Sequence, residues 1–285
     1  IAVRKRRSAP LALAAGLALF LTADLIRNNG PNESTALPPS MYDSLRPDGR
    51  DPVMAFLKRK TAFAPGSDRL DRIEIAAIDF HAPNASLVHG LHNILGYNPL
   101  RDRLYSAAVG AGDHAALPDQ RNFPPLFPGY VSPLARLLGL TYLATNAPLS
   151  ALDKTLPDDG LPAVFRHGQT TVYEIADPLP RAMVVPRAEV ADFEAIVASG
   201  RWPRTDFTTS VLLSERPAGM VTGSRPGVAR ILRYGNDVVE IEADAPDGGY
   251  LVLNDPWHPW WHATVDGNAA IIRPNSSGNT SSGRW

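Results

Sequence analysis

The rhythm of apolar and polar positions changes three times along the chain. Residues 10–26 are apolar apart from Thr22 and Asp24 and show no periodicity. They predict one helix of about 25 Å, marginal for a hydrocarbon core of roughly 30 Å. Residues 28–67 form a polar, proline-bearing connector, broken at Asn28-Asn29-Gly30-Pro31, with one short helix at Pro52–Lys60. Proline at the start of that helix and basic residues at its end suit the helix dipole.

From 68 to 162 the pattern is mixed α/β. Residues 72–80 alternate as a strand does, Asn84 is placed to cap a helix over 85–95 that Gly96 ends, and 100–109 is a further helix. A proline-rich loop covers 110–130, an apolar helix 133–140 and a strand 141–145. From 163 to 273 the period falls to two. Strands are predicted at 164–166, 171–175, 182–186, 210–214, 228–234 and 238–243, with one helix at 190–198. Val239, Ile241 and Ala243 share one face while Glu240, Glu242 and Asp244 share the other, the mark of a one-sided antiparallel strand. The expected fold is α+β: an N-terminal transmembrane helix, a mixed segment, and a C-terminal antiparallel β-sandwich of jelly-roll type. Residues 274–285 are Gly/Ser-rich and read as a disordered or aberrant tail.

The densest stretch is 250–267. An apolar run, Tyr250 to Leu253, predicts a buried strand; a second starts at Ala263 and ends at the turn pair Asp266-Gly267. Between them lie Asp255, Pro256 and Pro259, two histidines, and three of the chain's five tryptophans.

Composition narrows the chemistry. The 285 residues carry a net charge of −1, which gives no global field for nucleic acid. There is no cysteine, so disulfides, thiolate catalysis and Cys-ligated zinc are excluded. Proline and glycine, 27 and 22 residues, favour turns and short strands over a bundle. Arg4, Lys5, Arg6 and Arg7 precede the apolar run and place that end in the cytoplasm and the bulk of the chain outside. The run reads as a membrane anchor, as a signal peptide with a poor cleavage site at Leu21-Thr22-Ala23, or as a buried soluble helix. The opening Ile suggests a fragment or processed product.

Several residues invite functional readings, each beside a structural one. His258 and His262 are four apart, but the prolines exclude a helix, and a strand would separate them by about 13 Å. Core or interface histidines are therefore expected, and no metal, with His258 and His262 also standing beside the tryptophans as ligand-contact candidates. Trp257 and Trp260 are candidates to stack on sugar rings or sit at a headgroup layer, and Trp261 is a candidate core plug. Arg181 is a candidate for a phosphate or carboxylate, or for an ion pair with Glu174. Asp255 reads as a turn-starter capping backbone N–H groups and Asp266 as a hairpin residue, rather than a glycosidase carboxylate pair. Asp79 with His81 is a further acid–base candidate. Gly110-Ala111-Gly112 lacks the helix pattern of a phosphate loop. No cofactor is expected.

The run L-V-L-N-D-P-W-H-P-W-W-H-A-T-V-D-G resembles the hallmark of the YfhO-like bacterial membrane proteins, roughly L-V-L-S-D-x-Y-Y-P-G-W-x-A-x-V-D-G. Leu251 to Leu253, Asp255, Pro259, Trp261, Ala263 and Val265 to Gly267 carry the match. Trp260 stands where the family has glycine, which removes a residue tolerant of positive φ. G-Y-N-P-L at 96–100, with Asn98 for the family's Asp, L-L-G-L-T-Y-L-A-T at 137–145 and L-P-R-A at 179–182 resemble further family elements. The resemblance implies the last transmembrane helix and extracytoplasmic domain of a polytopic protein in the bacterial cell membrane. That family resembles glycosyltransferases of the cell envelope that use polyprenyl-phosphate sugars. The implied partners are the bilayer, the N-terminal membrane part of the same protein, the polyprenyl-phosphate sugar and a glycopolymer acceptor. The implied catalytic carboxylate lies upstream, so no catalytic residue is assigned in this chain, whose role would be to cover the active site or position the acceptor. Family members continue beyond residue 273 with another strand pair, so the last sheet is expected to lack one or two strands. The rival expectation is a membrane-anchored carbohydrate- or partner-binding module with no enzyme attached.

Overall fold

In the computed structural model, residues 8–29, 39–96, 102–110, 115–217, 222–274 and 279–282 are described. Helix α1, Ser8–Asn28, has 21 residues, about 32 Å at 1.5 Å per residue. That exceeds the length expected from the apolar run and reaches the roughly 30 Å of a hydrocarbon core. Among the described residues nothing covers it: Leu11, Leu13, Leu19 and Phe20 are all more than two-thirds exposed. It is long and apolar enough for a membrane anchor or a signal sequence, and none of the span 10–28 is buried against the described residues. Asp24 accepts a hydrogen bond from Asn28 Nδ2 at 2.8 Å, so the acid is satisfied along its own helix. The basic flank Arg4 to Arg7 lies outside the described residues, as do 97–101 and 111–114, which include most of the G-Y-N-P-L motif and of the Gly110 loop.

The first lobe is a five-stranded mixed sheet between two helical layers. Helix α2, Pro52–Lys60, starts where Asp51 accepts from the backbone N–H of Val53 and Met54, at 2.8 and 3.0 Å. Strand β1 is Arg72–Ala76. Helix α3, Ala82–His89, begins earlier and ends earlier than the sequence suggests. Its N-cap is His81, not Asn84, and just ahead of it Asp79 accepts from His81 N and Ala82 N at 2.7 Å each. Gly90 closes it in the left-handed conformation at φ 66°. The chain then forms β2, His92–Asn93, where a helix was expected. Next come α4, Arg103–Val109, and α5, Pro133–Leu137, then β3, Leu140–Thr145, and α6, Leu149–Leu152. The hairpin β4, Ala163–His167, and β5, Thr170–Glu174, completes the sheet.

Strand order is β2-β1-β3-β5-β4, with β2, β1 and β3 parallel and β5 and β4 antiparallel. On one face Ile73, Ile75, Tyr142 and Val172 pack with Phe56 and Leu57 of α2 and Ala85 of α3. On the other, Leu140, Leu143 and Tyr173 pack with Val109, Phe127, Tyr130 and Leu134. Both faces being covered explains why β1 is buried at every position, charged ones included. The division drawn at 162/163 cuts this sheet, because alternation reveals a strand but not which sheet edge it joins.

The second lobe holds the remaining strands. They are β6, Ala182–Val185, and β7, Arg187–Val190; helix α7, Phe193–Ser199; then β8, Ser210–Leu213, β9, Val228–Tyr234, and β10, Val239–Asp244. After them come β11, Tyr250–Pro256, β12, Ala263–Val265, β13, Asn268–Ala270, β14, Ile272–Pro274, and β15, Asn279–Ser282. A four-stranded antiparallel sheet runs β14-β15-β11-β6. The β9–β10 hairpin lies over it, with Ala229 and Ile231 packed on Ala182, Val184 and Leu251. β7 and β8 form a parallel pair, and β12 and β13 a hairpin. The fold is thus mixed helix and strand, with an N-terminal apolar helix and several small sheets. Helix α7 starts at Phe193 because Asp192 accepts from Ala195 N, which leaves Val190 in β7 rather than in the helix. Part of the tail, β15, pairs with β11 in place of being irregular.

Candidate functional site

The two lobes meet at a buried cluster around Asp255. One carboxylate oxygen accepts from Arg72 Nη2 at 2.8 Å and from Arg181 Nη1, and the other from the Tyr234 hydroxyl at 2.8 Å. Arg72 also donates to the carbonyls of Leu138 and Asn254, both at 2.6 Å, and Arg181 to that of Leu70. The guanidiniums come from β1 and from just before β6, the phenol from β9 and the carboxylate from β11, so four elements converge on one side chain. Two cations share one anion, with side-chain exposures of 8%, 1% and 14%.

This excess positive charge is felt by its neighbours. Burial and the adjacent Arg181 lower Arg72 to about 10. His92, edge-on to the Tyr234 ring at 5.3 Å, is lowered to about 4 by burial and then by Arg181 and Arg72. Burial and Asp255 raise Tyr234 to about 12. His92 therefore folds neutral, whereas its unfolded imidazole takes a proton near pH 6.5. Its contribution is complete above pH 6.5 and is lost as pH falls towards 4. Between pH 7.5 and 5 it should remove roughly 2 kcal/mol of stability. Comparing urea midpoints of the protein and His92→Gln at both pH values checks this: the variant should show the smaller loss, and equal losses would refute the assignment.

Beyond Asp255 the chain leaves β11 and forms the aromatic loop. Pro259 and Trp260 make a turn closed by Trp261 N donating to the His258 carbonyl at 3.0 Å. Among the described residues the only non-glycine positions with positive φ are Ala77, Asp177 and Asp266, so Trp260 carries no left-handed strain. Trp260 is 82% exposed, and its indole lies 4.4 Å from the His258 ring. Trp257 and Trp261 are half-buried, and His258 and His262 are exposed. Trp261 borders the cleft beside the loop and is half-buried there. Asp266 and Gly267, at φ 49° and 81°, make the β12–β13 turn. A cleft of about 640 Å³ opens beside the loop, and Asp255, Trp260, Trp261 and His262 border it.

No family model, curated protein or solved structure matches this chain.

The structure brings Arg181 and Asp255 together but not Arg181 and Glu174, which instead accepts from Tyr142 at 3.4 Å. Asp255 makes side-chain ion pairs in place of a backbone cap, and Asp79 accepts from the backbone N–H groups of His81 and Ala82 in place of pairing with the His81 ring. Among the described residues no three His, Asp or Glu side chains gather as metal ligands. Sequence reading missed Arg72, Tyr234 and His92. The available signal was R-I-E-I-A in β1, where charges alternate inside an apolar strand.

A second buried network lies further along β1, on the face that Glu74 shares with Arg72. Glu74 accepts from Arg121 Nε at 2.6 Å and from the Tyr130 hydroxyl at 2.8 Å, with both charged side chains fully buried. Arg121 also lies over the Phe123 ring at 4.0 Å. This pair is balanced in charge, unlike the cluster around Asp255.

Proposed function

We propose that this chain is the membrane-tethered, extracytoplasmic part of a YfhO-like polytopic protein, and that its aromatic loop positions a glycopolymer acceptor. The transfer from a polyprenyl-phosphate sugar is assigned to membrane segments upstream, with the bulk of this chain on the outer face of a bacterial membrane. In this reading the second lobe is a divergent jelly-roll-like sandwich, with the β9–β10 hairpin as part of its upper layer.

The observation that carries the proposal is the exposed Trp260, held against His258 at the mouth of a cleft. An indole left in water forgoes the stabilisation of burial, while its face offers a platform for the apolar face of a sugar ring. Such a platform, on a domain that follows a helix of membrane-spanning length, suits an accessory that holds a polymer close to the bilayer. The ionised groups nearest the loop support a non-catalytic role, since Asp255 is committed to two guanidiniums and a phenol.

Replacing Trp257 and Trp260 with alanine in the full-length protein tests this. Each stacking contact is worth about 1 kcal/mol, so polymer glycosylation at limiting acceptor should fall roughly tenfold or more. Unchanged glycosylation at normal protein level removes the acceptor-positioning role. If residues 1–285 alone bind the polymer through these tryptophans while glycosylation is unaffected, the anchored carbohydrate-binding module takes its place.

A further inference from the structure

The 640 Å³ cleft is bordered by two strands from different hairpins. Residues 237–241, which run into β10, and β12 with Trp261 and His262 line it, and Leu251, Leu253 and Ile272 contribute apolar side chains. Consecutive residues of both strands border the space. Among the described residues β10 pairs only with β9, and β12 only with β13. Each therefore carries a second edge of backbone N–H and C=O groups with no strand beside it.

The apolar groups here are incompletely covered. Val239, Ile241, Leu253, Val265 and Ile272 are all half-exposed around the cleft. A strand residue within a sheet occupies about 4.8 Å by 3.4 Å by 10 Å, or roughly 160 Å³. The cleft thus has room for about four extended residues.

We propose that the cleft accepts one extended polypeptide strand, inserted between β10 and β12, hydrogen-bonded to their open edges and with apolar side chains at every second position packed on Leu251, Leu253 and Ile272. The backbone edges decide the class of partner. They call for donors and acceptors repeating at the strand spacing, which a peptide supplies and a lipid tail or sugar ring does not. The exposed carboxylate of Asp237 at the border favours a strand with a basic end. This inference stands apart from the role given to the aromatic loop and holds whether or not Trp260 meets a glycan.

The test uses residues 1–285 in detergent micelles and an eight-residue peptide of alternating valine and threonine flanked by lysines. Amide hydrogen exchange is followed with that peptide and with a copy N-methylated at every residue, which keeps the side chains and blocks both hydrogen-bonding edges. The unmodified peptide should slow exchange at 239–241 and at Ala263–Val265 at least tenfold, and the methylated copy should not. Equal protection by both peptides would reduce the cleft to a greasy surface and overturn the proposal. Absence of protection by either at millimolar concentration would overturn it as well.

Discussion

Asp255→Ala should destabilise the protein by about 3–5 kcal/mol, because it leaves two guanidiniums buried side by side with no counter-charge. Arg72 and Arg181 have side-chain exposures of only 8% and 1%, so water cannot replace the carboxylate. The Tyr234 hydroxyl loses its acceptor in the same step, which adds an unsatisfied donor. The sign of the effect is open to a stricter check in a second variant. Adding Arg181→Met to Asp255→Ala removes one of the two cations and should recover part of the loss, although each change alone is destabilising. Urea midpoints of the three variants measure this. A loss below about 1 kcal/mol for Asp255→Ala, or no recovery in the double variant, would show that the cluster is solvated and contributes little.

The second large effect belongs to Glu74. Glu74→Leu should cost a similar amount, about 3–5 kcal/mol, since it strands Arg121 at zero side-chain exposure. Here the outcome of the double substitution differs. Glu74→Leu with Arg121→Met removes both charges and fills the space with apolar groups, which for buried pairs is often close to neutral. What remains is the Tyr130 hydroxyl, whose lost acceptor costs about 1–3 kcal/mol. The double variant should therefore be more stable than the single one, and adding Tyr130→Phe should recover most of what is left. Thermal unfolding across the series decides this; a double variant less stable than Glu74→Leu would mean that Arg121 works chiefly through the Val109 and Asn122 carbonyls it also contacts.

These two networks show where the sequence was legible and where it was not. Strands announced by alternation, such as β9 and β10, lie close to the positions expected, because a period of two with one covered face is a local property, and so does β11, announced by its apolar run. Helix ends were less legible. Three left-handed glycines, Gly90, Gly110 and Gly200, close helices, and Gly90 stopped α3 well before Gly96. The parallel pair β7–β8 was half missed, since R-A-E-V has little apolar content and gains its order from Val211 and Leu213 in a neighbouring strand. The ionic clusters were hidden for a different reason. Arg72 and Glu74 look like the wet face of a half-buried strand, and only the helical layers on both sides of β1 turn them into interior charges. The tryptophan loop stood out at once by composition, yet its exposure depends on which strands close over it, and that is a long-range property.

The contacts of Asp255 span the chain unevenly: Arg72 is 183 residues away, Arg181 is 74 and Tyr234 is 21. Synthesis at about 5–20 residues per second leaves Arg72 without its partner for on the order of ten seconds or more. Until then the nascent polypeptide carries two unmatched cations at the seam where its halves will join. That interval is a window in which proteases or holding chaperones meet an open form of the molecule, and it closes only when Asp255 has emerged.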